Sequence, residues 1–289
     1  MKTLSLNRSL FSYFLHTSLV IVLVLLFYGL FLNLVFSWQE DPQFSHGFLI
    51  PFISLFMIWK QRDRIKILME SETPSRHYSI PALFFVLFGL CLFIFGKYTF
   101  LLFVEGFSFI IILLASILFI YGMNIFKIAF FPVLYLLFML PIPARVLEFF
   151  SNPLQYLVAG ISAWVIGLLG APVFLKKELI YLPSITLQVE EVCAGLRTVL
   201  AFSAIGILFA YLYIRSTRLK IIFLMLIILF AIIVNISRVS AVGIFAYFIS
   251  NDAGLNIHKY GWPLISIFGF SIIFLIGWAF TCMESRKGY

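Results

Sequence analysis

The chain has 289 residues, of which 63% are apolar and only 11% charged, and its mean hydropathy is +1.11. A water-soluble domain carries about a quarter charged residues, so this surface cannot face water, and a polytopic membrane protein is the class that remains. The net charge of +8 does not point to nucleic acid, because Lys and Arg fall mainly in short connections and termini, where membrane topology uses them.

The expected architecture is a single all-α integral-membrane domain over 1–289. It has about eight transmembrane helices, one interfacial or re-entrant helix and a short external hairpin. The first apolar run, 18–36, follows Lys2 and Arg8 like the core of a signal peptide. It is too long for one, and Val35-Phe36-Ser37-Trp38-Gln39 offers no small-residue cleavage site, so an uncleaved span is expected. After an acidic loop with Glu40 and Asp41 comes a second run, 46–59. It ends in Lys60-Gln61-Arg62-Asp63-Arg64-Ile65-Lys66, the most basic connection in the chain. The positive-inside rule makes that connection cytoplasmic and puts the N-terminus inside.

Runs 80–95 and 100–121 follow with a hinge at Lys97 between them, then 125–140, which stops at Pro141-Ile142-Pro143. The next run, 154–169, decides the parity. If it crossed, the basic connection 215–220 and the tail with Arg286 and Lys287 would both lie outside. The charge bias therefore predicts that a helix over 153–170 lies in the outer interface or re-enters. Residues 179–189 alternate apolar and polar side chains around Thr186 and Gln188 and read as a short hairpin. The remaining spans are 198–214, 221–240 and 262–282, which places both termini in the cytoplasm.

Three cysteines are present, and Cys91 and Cys282 sit inside apolar runs, where a thiol is ordinarily a small hydrophobe. Cys193 alone has polar neighbours: Glu190 and Glu191 before it, Gly195 and Arg197 after it. Near the start of a helix, unpaired N–H groups favour the thiolate, and Arg197 at i+4 adds positive charge. No C-x-x-C, H-E-x-x-H, Walker A or G-x-S-x-G pattern occurs, and one Cys with one His does not complete a zinc site. No metal or cofactor is expected.

Two further residues come to the depth of Cys193. Arg238 lies about 27 Å above Lys220 along the seventh span, near the far side of a ~30 Å hydrocarbon core. An arginine in that setting costs about 2.5–3.5 kcal/mol at a helix centre and is ordinarily kept for a partner. Asn235, at i−3, shares its face. His258 stands in the expected external loop 250–261, just before the last span. A thiol, a guanidinium and an imidazole in one layer supply a nucleophile, an oxyanion donor and a proton shuttle, the parts that acyl transfer needs.

These stretches resemble the exosortase/archaeosortase family. Glu191-Val192-Cys193-Ala194-Gly195-Leu196-Arg197 is similar to the family's E-x-C-S-G-x-R motif, with Ala194 where Ser is usual. Asn235-Ile236-Ser237-Arg238-Val239 is similar to its N-x-x-R motif, and His258-Lys259-Tyr260-Gly261-Trp262 to its His motif. Ser45-His46-Gly47-Phe48-Leu49-Ile50-Pro51 resembles its N-terminal S-H-G stretch, and Pro153-Leu154-Gln155 before the interfacial helix also fits.

The resemblance implies a membrane cysteine transpeptidase or protease of a bacterial inner membrane. Its substrates would be exported proteins ending in a Pro-Glu-Pro-like motif, a transmembrane helix and a basic tail, with a link to exopolysaccharide. It assigns Cys193 as nucleophile, Arg238 as stabiliser of the oxyanion or thiolate, and His258 as acid/base. Arg197, Glu191, Asn235 and Gly195 then support those three, while His46 and Glu190 belong to a substrate-facing or interface role. The implied partners are the exported substrates, the lipid bilayer and an amine or lipid acceptor, with no nucleic acid.

A transporter or flippase for a lipid-linked glycan is the alternative reading. It suits many spans, a basic inner face and an intramembrane Arg. The sequence shows no inverted repeat and no spaced run of intramembrane acids to support it.

Overall fold

The computed structural model describes residues 17–18, 20–71, 78–189 and 196–286, with the backbone alone at 71, 197, 258, 262–266 and 284–286. The described chain is helical apart from one small sheet, and it divides after Pro143 into two compact units.

The first unit holds α1 (Val20–Leu26), α2 (Tyr28–Glu40), α3 (Ile50–Lys60), α4 (Arg62–Ser71), α5 (Ser79–Thr99) and α6 (Leu102–Tyr135). α1 and α2 meet at a 59° bend. Phe27, between them, is fully buried, with its ring edge-on to Phe93 of α5 and Phe109 of α6, at 4.9 and 5.1 Å between centroids. α5 and α6 run antiparallel through small residues. Gly89 lies against Ile112, and a Cβ at Gly96 would come within 2.8 Å of the Glu105 nitrogen. Close backbone approach of this kind replaces the hydrophobic drive that lipid does not supply between apolar helices.

A continuous helix from Gly106 to Leu140 would extend about 50 Å, yet Gly106 packs against the Leu140 side chain. The chain therefore folds back, and the one non-helical residue inside α6 is Gly122, with φ 77° and ψ −175°. That conformation suits glycine, which has no Cβ to clash. The reversal separates the two legs where the sequence separates the runs 100–121 and 125–140. The returning leg is bonded to α3 by Ser54 Oγ, which donates to the Pro132 carbonyl at 2.7 Å. It ends in a 3-10 turn, Leu136–Met139, whose last carbonyl accepts the Trp38 indole N–H at 2.8 Å.

The basic connection 60–66 differs from expectation, because most of it is helix. α3 stops at Gln61, and α4 continues from Arg62 with Ile65 and Leu68 half-buried. Charge dominates the residue types there, but Ile65, Leu68 and Met69 recur at i, i+3, i+4, the spacing of an amphipathic helix.

The second unit begins with α7 (Ala144–Leu168), longer at its N-terminal end than the expected helix over 153–170. Pro153 lies inside it and does not start it, costing one backbone hydrogen bond without ending the helix. Leu147, Ser151, Gln155, Val158, Ala159, Ser162, Ala163 and Ile166 are its buried residues and form one stripe. The expected hairpin is a three-stranded antiparallel meander of β1 (Phe174–Lys176), β2 (Leu179–Tyr181) and β3 (Thr186–Gln188). Its register pairs Leu175 with Ile180 and Ile180 with Leu187. Three long helices complete the unit: α8 (Leu196–Tyr213), α9 (Thr217–Phe248) and α10 (Asn251–Arg286).

α10 starts eleven residues before the expected 262, so the expected loop 250–261 is helix from Asn251 onward. Ser250 caps it: its Oγ accepts the Ala253 N–H at 3.1 Å and its carbonyl the Gly254 N–H at 3.2 Å. A capping Ser with Asp252 in the first turn is a helix start, which polar composition had disguised as a loop.

Among the described residues, α5, the run Leu102–Met139 and α9 are long and apolar enough to cross a membrane, and α1 with α2 adds a fourth if the bent pair is one span. Shorter apolar helices cover Ser45–Lys60, Thr198–Tyr213 and Ile267–Met283. The protein is thus a multi-pass, largely helical membrane protein.

Candidate active site

The sheet is fastened to the helices before the chain reaches the cysteine stretch. Ile180, Leu182 and Val189 are buried in one apolar cluster with Val158, Ala159, Ala163 and Ile166 of α7 and Val239 of α9. Gly243 of α9 lies against both Ile166 and Leu187, so α7, β3 and α9 meet at that height. The Ser162 hydroxyl donates to the Ile236 carbonyl at 3.4 Å. The Asn251 amide donates to the Ser184 carbonyl at 3.1 Å, holding the β2–β3 turn to the start of α10. Finally, Val189 N–H bonds the Glu178 carbonyl at 3.0 Å, fixing the backbone one residue before position 190.

The other end of that stretch is fixed by α8. Phe202 stacks on Phe230 of α9 with centroids 6.5 Å apart, and Phe209 meets Phe223 at 5.6 Å. Seven residues down α8 therefore correspond to seven up α9. Continued six residues above Phe202, the same register sets Leu196 opposite Ile236, within about 3 Å of rise of Arg238. Thr198, in the first turn of α8, is buried.

α9 and α10 give the third side. A Cβ on Gly254 would lie 2.7 Å from the Ala246 Cβ and 3.0 Å from the Val242 carbonyl oxygen. Position 258, one turn further along α10 and on the same side of it as Gly254, then falls opposite 238–242. On α9, Arg238 lies in the stripe of Ala231, Val234, Val242 and Ala246, the stripe that meets Gly254. Asn235 on that stripe is fully buried, and Arg238 is half-buried.

α9 does not end near Arg238, as the expected span 221–240 has it. It continues to Phe248, so Arg238 sits about 15 Å below the helix end. His258 moves correspondingly, from a loop before a helix to the third turn of α10.

The remaining expected residues divide by position. Cys193, Glu190, Glu191 and Gly195 lie outside the described residues, as does Ala194, and Arg197 and His258 are placed by their backbone alone. His46 belongs to the first unit, half-buried in the 3-10 turn Ser45–Phe48. Its neighbour Gly47 is packed so closely on the Trp38 indole that a Cβ would overlap the ring. This gives the Ser45-His46-Gly47 stretch a packing role that its sequence did not reveal. Of the other cysteines, Cys91 is exposed on α5 and Cys282 is half-buried near the end of α10. Among the described residues no three His, Cys, Asp or Glu side chains gather as metal ligands.

No curated protein and no solved structure matches the chain. A family described as transmembrane exosortase does, over residues 38–277. That span contains the Ser45-His46-Gly47 stretch, the cysteine stretch, the Asn235–Arg238 pair and His258. By that match, and by a helical membrane architecture in keeping with it, the chain belongs to the transmembrane exosortase family.

Proposed function

We propose that the protein is a membrane cysteine peptidase or transpeptidase that processes C-terminal sorting signals of exported proteins. The signal is a Pro-Glu-Pro motif followed by a transmembrane helix and a basic tail. The active site lies on the outer face of the inner membrane, with both termini in the cytoplasm and α7 in the outer interface. The observation that supports this reading is one of level: Val189 packs with Val239 of α9, and the helix registers, extended by a few residues, set Leu196 opposite Ile236 and position 258 opposite 238–242. In the sequence Cys193 stands three residues before Leu196.

In this reading the Cys193 thiolate attacks the carbonyl carbon at the cleavage site. A C–S bond forms, and the carbonyl electron pair moves to oxygen. Arg238 stays protonated at any working pH, so it donates hydrogen bonds to the oxyanion and cannot serve as a base. His258 gives a proton to the departing nitrogen, the C–N bond breaks, and a thioester remains on Cys193. Water or an acceptor amine then attacks the thioester and passes its proton to His258, and the thiolate leaves. Asn235 is buried one turn before Arg238, and Arg197 and Glu191 support the cysteine stretch.

The test is co-expression of a tagged protein bearing such a signal with wild type, Cys193→Ala, Arg238→Ala or His258→Ala. Wild type yields a shortened product and Cys193→Ala yields none. A shortened product from the Cys193→Ala strain overturns the mechanism, and a transporter would tolerate that substitution.

A further inference from the structure

In the first unit, far along the chain from the cysteine stretch, α3 and α4 border a wide-open surface groove of about 800 Å³. Leu55, Phe56 and Trp59 line it from α3, and Ile65 and Met69 from α4. Two cations, Arg62 and Lys66, line it as well. They are one turn apart on α4 and share a side of it. The Arg62 guanidinium lies over the Trp59 ring, 4.3 Å from its centroid, so the charge is held at the edge of the apolar wall. Its nearest carboxylate, Asp63, is 3.7 Å away with both groups exposed, a contact too solvated to hold the guanidinium from another anion.

We infer that this groove is a site for an anionic glycerophospholipid, with acyl chains along the α3 wall and the phosphate on Arg62 and Lys66. The walls call for an apolar occupant and the two cations for an anion. At a membrane boundary, one molecule carries both. The boundary itself is marked by the change from the apolar α3, with Phe52 and Leu55 exposed, to the charged stretch that begins at Lys60 with Trp59 beside it. A guanidinium pre-set over an indole presents its planar donors to a phosphate with little ordering left to lose.

The full-length protein in neutral detergent, titrated with phosphatidylglycerol, cardiolipin and phosphatidylcholine and read by native mass spectrometry, tests the site. Wild type retains the anionic lipids in preference to phosphatidylcholine. Each cation near a lipid phosphate contributes about a fivefold preference, so R62Q/K66Q together lose about twenty-fivefold and either alone about fivefold. R62K, which keeps the charge, retains most of the preference and guards against a loss caused by misfolding. Stronger retention of cardiolipin than of phosphatidylglycerol assigns a two-phosphate headgroup, and equal retention assigns a single phosphate; both support the site. Equal retention of phosphatidylcholine, or an unchanged preference in R62Q/K66Q, overturns it. So does a dimer that R62Q/K66Q dissociates without loss of lipid, which would make the groove a contact between two copies of the chain.

Discussion

Charged side chains stand among apolar helices in both units, and the two cases are built differently. In the first unit Glu105 is almost fully buried, but the Lys97 ammonium lies 2.9 Å from its carboxylate, eight residues away in the same hairpin. Opposite charges born on one turn cancel locally and close that turn. In the second unit Arg238 lies where α8, α9, α10 and the end of the sheet come to one level. A charge balanced within its own hairpin serves the fold. A charge brought to the meeting point of separate segments is, on the proposed reading, there for a reaction.

Substitutions can break this contrast, and the largest effect falls on the reaction. Cys193→Ala should abolish processing of a sorting-signal substrate while leaving the melting temperature unchanged, as intact-mass analysis of the substrate and a thermal melt will show. Arg238→Ala should lower the rate about 100- to 1,000-fold, the range for losing one oxyanion donor. Arg238→Lys, measured beside it, should recover part of that loss. Should Arg238→Ala instead unfold the protein with Cys193→Ala harmless, Arg238 belongs with Lys97 as a fold residue.

The pair in the first unit should behave in the opposite way. Lys97→Met leaves a buried carboxylate without its counter-charge. Fully buried pairs lose about 3–5 kcal/mol in this way. Lys97 is 46% exposed, so a loss of about 2 kcal/mol is expected, and Lys97→Met/Glu105→Gln should be more stable than Lys97→Met alone. An effect of similar size is expected at Gly47, where alanine must push the Trp38 indole aside and strain its bond to the Met139 carbonyl. That should cost about 1–3 kcal/mol in denaturant melts. A Gly47→Ala variant of normal stability and reduced processing would instead move the Ser45-His46-Gly47 stretch from packing to function.

Much of the fold could be read before the structure, although the pairing of Lys97 with Glu105 could not. Long apolar runs show the membrane helices directly, and the break between 121 and 125 falls at Gly122, because only glycine takes that backbone without strain. The polar helices were hidden. α4 and the first turns of α10 carry Asp63, Arg64, Asn251 and Asp252, which composition assigns to loops, whereas the i, i+3, i+4 apolar pattern and the Ser250 cap decide for helix. β1 escaped notice because Phe174-Leu175-Lys176 is too short to show an alternation, and it is defined only by pairing with β2.

The candidate site was proposed from residue types and depths, through the cost of keeping an arginine in an apolar helix. Its walls were not. The register that sets Leu196 and position 258 against Arg238 comes from Phe202 on Phe230 and Gly254 on Ala246, contacts between segments that no single stretch of sequence encodes.

That register is the central claim, and thiol cross-linking measures it. With Cys91 and Cys282 replaced by Ser, Cys193 is paired in turn with Arg238→Cys, His258→Cys and, lower on α10, Ser271→Cys, and a short thiol-to-thiol cross-linker is added in native membranes. The account predicts intramolecular cross-links from Cys193 to positions 238 and 258 and none to 271. Cross-linking to 271, or to neither 238 nor 258, would contradict it.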